Sequence, residues 1–223
     1  MIAMSNVKTI VTDSELLSDW CIEIDPQKEG KLTQEIILSL KSTMREKGLL
    51  SLTAPQIGYN RRIFCIKFGD EYRTFINPAI ENNSNIIMSR ESCSSIPDKE
   101  YIIPRFTKII FYFTTPLSKV ERGTLVGRAA AVFQHCLDHL NGMLVNDIGL
   151  EIDELFDSAT DDEREEVLRL YAESLDLRQK QLNEFIKKDE ELRDIDDAIK
   201  FIRSVNDGST VLDLTTAKKD TDK

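Results

Sequence analysis

The chain has 223 residues, 41% of them hydrophobic, with four cysteines and a formal net charge of −10. That length suffices for one sizeable core with a smaller appendage, and no run approaches the ~18 apolar residues that a membrane span requires. The cysteines (Cys21, Cys65, Cys93, Cys136) are far apart and form no Cys-x-x-Cys pair. They are poor material for a disulfide framework, and the stretch Met1 to Lys8 lacks the layout of a secretory signal, so the expectation is a cytoplasmic protein without membrane attachment.

The charge is unevenly placed. Residues 1–150 carry 17 acidic and 17 basic side chains, whereas residues 151–223 carry 22 acidic and 12 basic ones, the whole of the excess. An acidic segment repels phosphate backbones, which argues against direct binding of nucleic acid. The change of composition near residue 150 marks a boundary.

In chain order, residues 7–25 read as an irregular or weakly stranded entry. Thr33 has the character of an N-cap, followed by Ile36, Ile37, Leu40 and Met44 at helical spacing and by Gly48 as the stop. Leu49 to Gly58 begins as an apolar strand and ends in a Pro/Gly turn. Residues 62–68 and 71–77, joined at Gly69-Asp70, predict a β-hairpin. Residues 86–88 and 108–113 are further strands, with a serine-rich turn from Glu91 to Pro97 between them. Leu125 to Phe133 reads as an interior helix leading into Gln134-His135-Cys136-Leu137-Asp138-His139-Leu140-Asn141-Gly142, with Gly142 as the C-terminal stop. Several antiparallel strands around one interior helix indicate an α+β domain.

After residue 150 the pattern changes. Thr160-Asp161-Asp162-Glu163 is a capping box with extra acid in the first turn. Apolar residues then recur at three-, four- and seven-residue steps from Leu168 to Ile202, and Asn206-Asp207-Gly208 ends the run. The reading is three parts: a core domain over 1–150, an acidic amphipathic helical extension over 151–208, and a flexible tail over 209–223. The apolar stripe over 160–205 needs a cover, which is either the chain's own core or a protein partner or second copy.

The chemistry concentrates in one place. The chain has only two histidines, and both lie here, four residues apart on one helical face, close enough to share an ion. A hydrolytic His-Glu-x-x-His pattern carries a carboxylate after the first histidine, and here that position is Cys136. Cys93, in the polar turn, is the candidate third ligand; its alternative is a small buried hydrophobe.

Three stretches together resemble the peptide deformylases, enzymes that remove the formyl group from the initiator methionine of nascent chains. Leu49 to Gln56 stands in place of Gly-x-Gly-x-Ala-Ala-x-Gln, Glu91 to Ser95 in place of Glu-Gly-Cys-Leu-Ser, and Gln134 to Gly142 matches Gln-His-Glu-x-Asp-His-Leu-x-Gly except at Cys136. The resemblance covers roughly residues 7–150. It implies the deformylase fold, with antiparallel sheets around a central metal-binding helix, and Cys93, His135 and His139 as ligands of one divalent ion, Fe²⁺ or Zn²⁺. It implies that the Gln56 amide and the backbone N–H of Ser94 stabilise the developing oxyanion, and that Leu50, Arg128 and Val132 line the substrate pocket. Asp138, Glu91 and Arg105 would steady the ligands from behind, Arg105 by pairing with Glu91. Formyl-methionyl nascent peptides would be the substrates.

The departures are as informative. Leu49 and Ser51 replace two glycines, Arg128 takes an apolar pocket position and Glu100 a basic one. Cys136 takes the place of the glutamate that moves the proton, so the expected activity is a slow deformylase. The alternative is a catalytically inactive relative kept as a binding or assembly module through its acidic helix. A third possibility is a redox-sensitive site, with Cys136 and Cys93 forming a disulfide that displaces the ion.

Overall fold

The computed structural model of the chain describes residues 6–173. The chain divides into two units between Thr160 and Asp161. The first holds α1 (Ser14–Leu17), α2 (Gly30–Lys47), β1 (Ser51–Thr53), a 3₁₀ turn (Pro55–Ile57), β2 (Ile63–Phe68), β3 (Glu71–Cys93), β4 (Ile96–Thr114), β5 (Val120–Val126), α3 (Arg128–Leu140), α4 (Val145–Ile148), β6 (Leu150–Ile152) and α5 (Glu154–Ser158). This is the expected α+β class. One antiparallel sheet runs in the order β1-β2-β3-β4-β5, and β6 pairs with the start of β4. The predicted hairpin at Gly69-Asp70 joins β2 to β3.

α2 buries Ile36, Leu40 and Met44 and stops at Gly48, whose φ of 68° suits glycine. Its start differs from expectation. The helix begins at Gly30, and Thr33 lies inside the first turn, where its hydroxyl donates to the Glu29 carbonyl at 2.9 Å. A threonine hydroxyl can satisfy itself on the preceding turn as well as cap a helix. The entry segment also carries the one-turn helix α1, capped by Asp13.

β3 and β4 form a long ribbon, and residues 86–88 and 108–113 lie within it. The turn expected from Glu91 to Pro97 is tighter than that: Cys93 ends β3 and pairs with Ile96 across Ser94-Ser95. Leu125 and Val126 belong to β5 and not to the following helix. Gly127, at φ 57°, ends the strand and turns the chain, so α3 begins at Arg128.

α3 packs Ala130, Phe133, Cys136 and Leu140 into a cluster with Phe64, Phe75, Phe111 and Phe113 from the sheet. The Phe133 ring meets Phe64 edge-on at 5.0 Å and Phe75 at 5.3 Å, arrangements that the aromatic quadrupole favours. At the far end Gly142 has φ 66°, and a Cβ there would collide with the Ser18 carbonyl.

In the second unit the described residues form a helix over 161–173, starting one residue after Thr160. Arg169 pairs with Glu166 and Glu173 at one-turn spacing on its surface. The rest of the amphipathic run, its Asn206-Gly208 stop and the 209–223 tail lie outside the described residues. No helix among the described residues is long and apolar enough to cross a membrane.

Candidate metal centre

Helical geometry brings the two imidazoles together, with ring centroids 5.1 Å apart. The β3–β4 turn supplies the third group. Cys93 Sγ lies 3.2 Å from His139 Nε2, and one donor atom from each of Cys93, His135 and His139 falls within 4.8 Å of the other two. A thiolate and two imidazoles around an open fourth position suit a tetrahedral divalent ion.

The electrostatics fit a cation. Burial alone would raise the Cys93 thiol, but His135 and His139 overcome it and hold the thiol at about 5, so sulfur is a thiolate at neutral pH. Burial would lower His135, and the Cys93 and Glu91 charges instead raise it to about 9.

Behind the ligands lies a buried ionic chain. Glu91 Oε2 meets His135 Nδ1 at 3.0 Å, which leaves His135 Nε2 for an ion. Arg105 donates to both Glu91 oxygens, at 2.7 and 2.9 Å, and to Asp138 Oδ2 at 2.6 Å. Burial would raise the Glu91 carboxyl, but its bonds from Arg105 and His135 bring it down to about 2. Burial works against the Arg105 charge, yet Asp138 and Glu91 more than compensate. Asp138 thus touches Arg105 and is linked to His135 through Arg105 and then Glu91. His139 differs from His135: its Nδ1 is buried with no hydrogen-bond partner among the described residues, so its ring is held by packing and by the Nε2 contact with Cys93.

Gln56 is aimed by the 3₁₀ turn. Its Oε1 accepts from the backbone N–H of Thr53 at 3.0 Å and from the Thr53 hydroxyl at 3.1 Å. That fixes which end of the amide faces the centre: Nε2 lies 3.1 Å from Ser95 Oγ, 3.3 Å from Ser94 Oγ and 3.7 Å from Cys93 Sγ. Thr53 and Ser95 lie within the first two motif stretches but were given no role there; the Thr-x-x-Gln spacing of a local turn was the signal for Thr53. Arg62 was also missed. It donates to the Leu140 carbonyl and Asn141 Oδ1, both at 3.0 Å, and lies 4.8 Å from the Trp20 ring, securing the end of α3 beside His139.

Cys136 is apart from this polar set. It is 0% exposed, in the aromatic cluster. Burial pushes its thiol well above the usual range, with only a hydrogen bond to Ser51 acting the other way, so it stays protonated at neutral pH. All four cysteines are free and buried.

A cleft of ≈ 300 Å³ opens over the centre, lined by Leu49, Leu50 and Ser51 on one side and by Arg128, Ala131, Val132 and His135 of α3 on another, with Gln56, Glu91 and Ser94 also on its wall. Leu50, Arg128 and Val132 therefore share one cavity. Leu49 and Ser51 keep ordinary backbone conformations, since neither is among the positive-φ residues. Glu100 pairs with Arg90, which also binds Asp157 at 2.9 Å.

Comparison with known proteins gives one answer. The family model for polypeptide deformylase matches residues 7–151. A peptide deformylase of Dictyoglomus turgidum is 28% identical over 145 residues, covering 64% of this chain and 95% of that protein. One from Dictyoglomus thermophilum is 30% identical over 125 residues, covering 56% and 82%. The crystal structure of peptide deformylase from Thermotoga maritima superposes with a TM-score of 0.59 at 28% identity, over 64% of this chain and 97% of that one. A Met-Ala-Ser-bound class I type b peptide deformylase from Acinetobacter baumannii has the same fold, with a TM-score of 0.59 at 20% identity over 63% and 97%.

Proposed function

This chain belongs to the polypeptide deformylase family, and from that premise we propose that it hydrolyses N-formyl peptides, slowly. In this reaction water adds across the formamide C–N bond, that bond breaks, and formate and a free amine leave. One observation carries the reading: Cys93, His135 and His139 each bring a donor atom to one point, beside a cleft that His135 and Gln56 line. The three side chains would hold one divalent ion, Fe²⁺ or Zn²⁺, which when bound supplies Lewis-acid polarisation and lowers the pKa of water.

The chain's own residues do the rest. Gln56 Nε2 donates to the formyl oxygen as charge accumulates there, and the Ser94 N–H is the second donor. Glu91 takes the His135 Nδ1 hydrogen bond and so keeps the ring in one orientation; Arg105, itself bound to Asp138, holds Glu91. Leu50, Val132 and Arg128 meet the peptide. What is weak is proton transfer. Cys136 stands where the resemblance places a glutamate, and a neutral, enclosed thiol does not accept a proton at pH 7. Losing a positioned general base costs typically ~10²–10⁴-fold.

The test is elemental analysis of anaerobically purified protein, together with hydrolysis of formyl-Met-Ala-Ser by the wild type, Cys136→Glu and Cys136→Gln. Bound iron or zinc is expected at about one per chain. Cys136→Glu should raise hydrolysis by at least ~10-fold and Cys136→Gln should not, because only the former moves a proton. A fast wild type unaffected by either change would assign the proton to another group. The burial of Cys136 favours a second reading: an inactive relative that keeps the fold as a binding or assembly module. Cation-bound protein that is inert in all three forms would establish it. For that module the acidic helical segment beyond residue 160 is the proposed contact with a partner or second copy.

A further inference from the structure

The charged side chains that line the cleft are neutralised by neighbours, with one exception. Glu91 is shared by Arg105 and His135, and Arg90 by Glu100 and Asp157. Arg128 lines the same cleft, exposed, with no hydrogen-bond or ion-pair partner among the described residues. Its place is set by α3. Arg128, Ala131, Val132 and His135 follow one another at three-, four- and seven-residue steps, so they share one face, and all four meet the cleft.

Distance along that face then decides what Arg128 can reach. At ~1.5 Å rise per residue, it starts about 10 Å along the helix axis from His135. An extended peptide advances about 3.3 Å per residue, so a peptide whose N-terminal carbon reacts beside His135 and that runs along this face passes Arg128 with its second and third side chains. A methionine side chain can cover the stem of an arginine but leaves its five donors unused, whereas a carboxylate matches the guanidinium fork.

We propose that Arg128 is a specificity-determining residue, and that this cleft selects N-terminal peptides carrying a carboxylate side chain at their second or third position. The inference rests on the deformylase reading above. A short peptide could offer the same chemistry through its free C-terminus, so the probes are amidated.

The Zn²⁺-loaded full chain is titrated calorimetrically with the amides of Met-Ala-Ser, Met-Glu-Ser and Met-Ala-Glu. One of the two acidic peptides should bind about 5-fold more tightly than Met-Ala-Ser amide at low ionic strength, and the position of its glutamate identifies the subsite. That ratio should fall to about 1 in Arg128→Leu and in Arg128→Gln, survive in part in Arg128→Lys, and shrink at about 0.5 M salt. Free-acid Met-Ala-Ser showing the same gain as the acidic amides would reassign the carboxylate to the peptide terminus and overturn the side-chain preference. Equal affinity for all three amides, or a ratio that persists in Arg128→Leu, overturns it as well. If no peptide binds although zinc is held, the deformylase reading itself fails, and this inference with it.

Discussion

The two walls of the cleft are built on different principles. On the ligand wall, Cys93, Glu91, Arg105, Asp138 and His135 are linked side chain to side chain by contacts of 2.6 to 3.0 Å or by paired charge, and Arg105 is 4% exposed. On the substrate wall, Leu50 is 50% exposed and Arg128 has no partner among the described residues. Against the deformylase motifs that the chain resembles, the first wall carries matching residues, such as Cys93 and His135, and the second departs at Arg128. A cation site tolerates little displacement, because donor atoms must reach it at bonding distance and buried charges must be matched. A solvent-facing wall can change its side chains at little cost to stability.

The contrast can be broken at several points. The largest effect is expected from Arg105→Met, which leaves Glu91 and Asp138 facing each other without their cation. Urea denaturation should show a loss of about 3–5 kcal/mol, and a loss below ~1 kcal/mol would mean that the ionic chain does not organise this wall. Acid should act through the same chain in the metal-free protein. The folded-state carboxyl of Glu91 sits at about 2 against an ordinary 4.5. Its stabilisation is therefore present above pH ~4.5 and lost as the pH falls from there through ~2, with a size of about 3 kcal/mol. Stability measured from pH 5 downward should fall less steeply in Glu91→Gln than in the wild type. The smallest effect belongs where the walls meet. Thr53→Val removes one of two donors to Gln56 Oε1, and formyl-peptide turnover should drop about 3- to 10-fold with cation content unchanged; a change in cation content would tie Gln56 to the ligand set instead.

Much of the site was legible because its determinants are local. His135 and His139 are one turn apart whatever surrounds them, and Gly48 and Gly142 stop their helices through backbone freedom that only glycine has cheaply. The hairpin at Gly69-Asp70 is equally local. The misreadings share the opposite property. Leu125 and Val126 resemble a helix entry until β4 supplies the partner that makes them a strand. Thr33 can cap or back-bond, and the neighbouring chain decides between the two. The serine-rich turn shrank to Ser94-Ser95 because Cys93 pairs with Ile96, while residues 97–99 bulge from β4 before the pairing resumes at Ser92 and Glu100.

By itself the sequence determined the histidine pair on one helical face, the α+β pattern and the absence of a carboxylate after the first histidine, since residue identity and the periods of helix and strand suffice for these. Only the tertiary structure decided that Arg105 bridges Glu91 and Asp138, that Thr53 turns the Gln56 amide toward Cys93, and that Cys136 is sealed in the aromatic cluster. Those outcomes depend on which strands lie side by side. Hydrogen bonding and desolvation act over a few ångströms, and a one-dimensional order does not say which distant residues come that close.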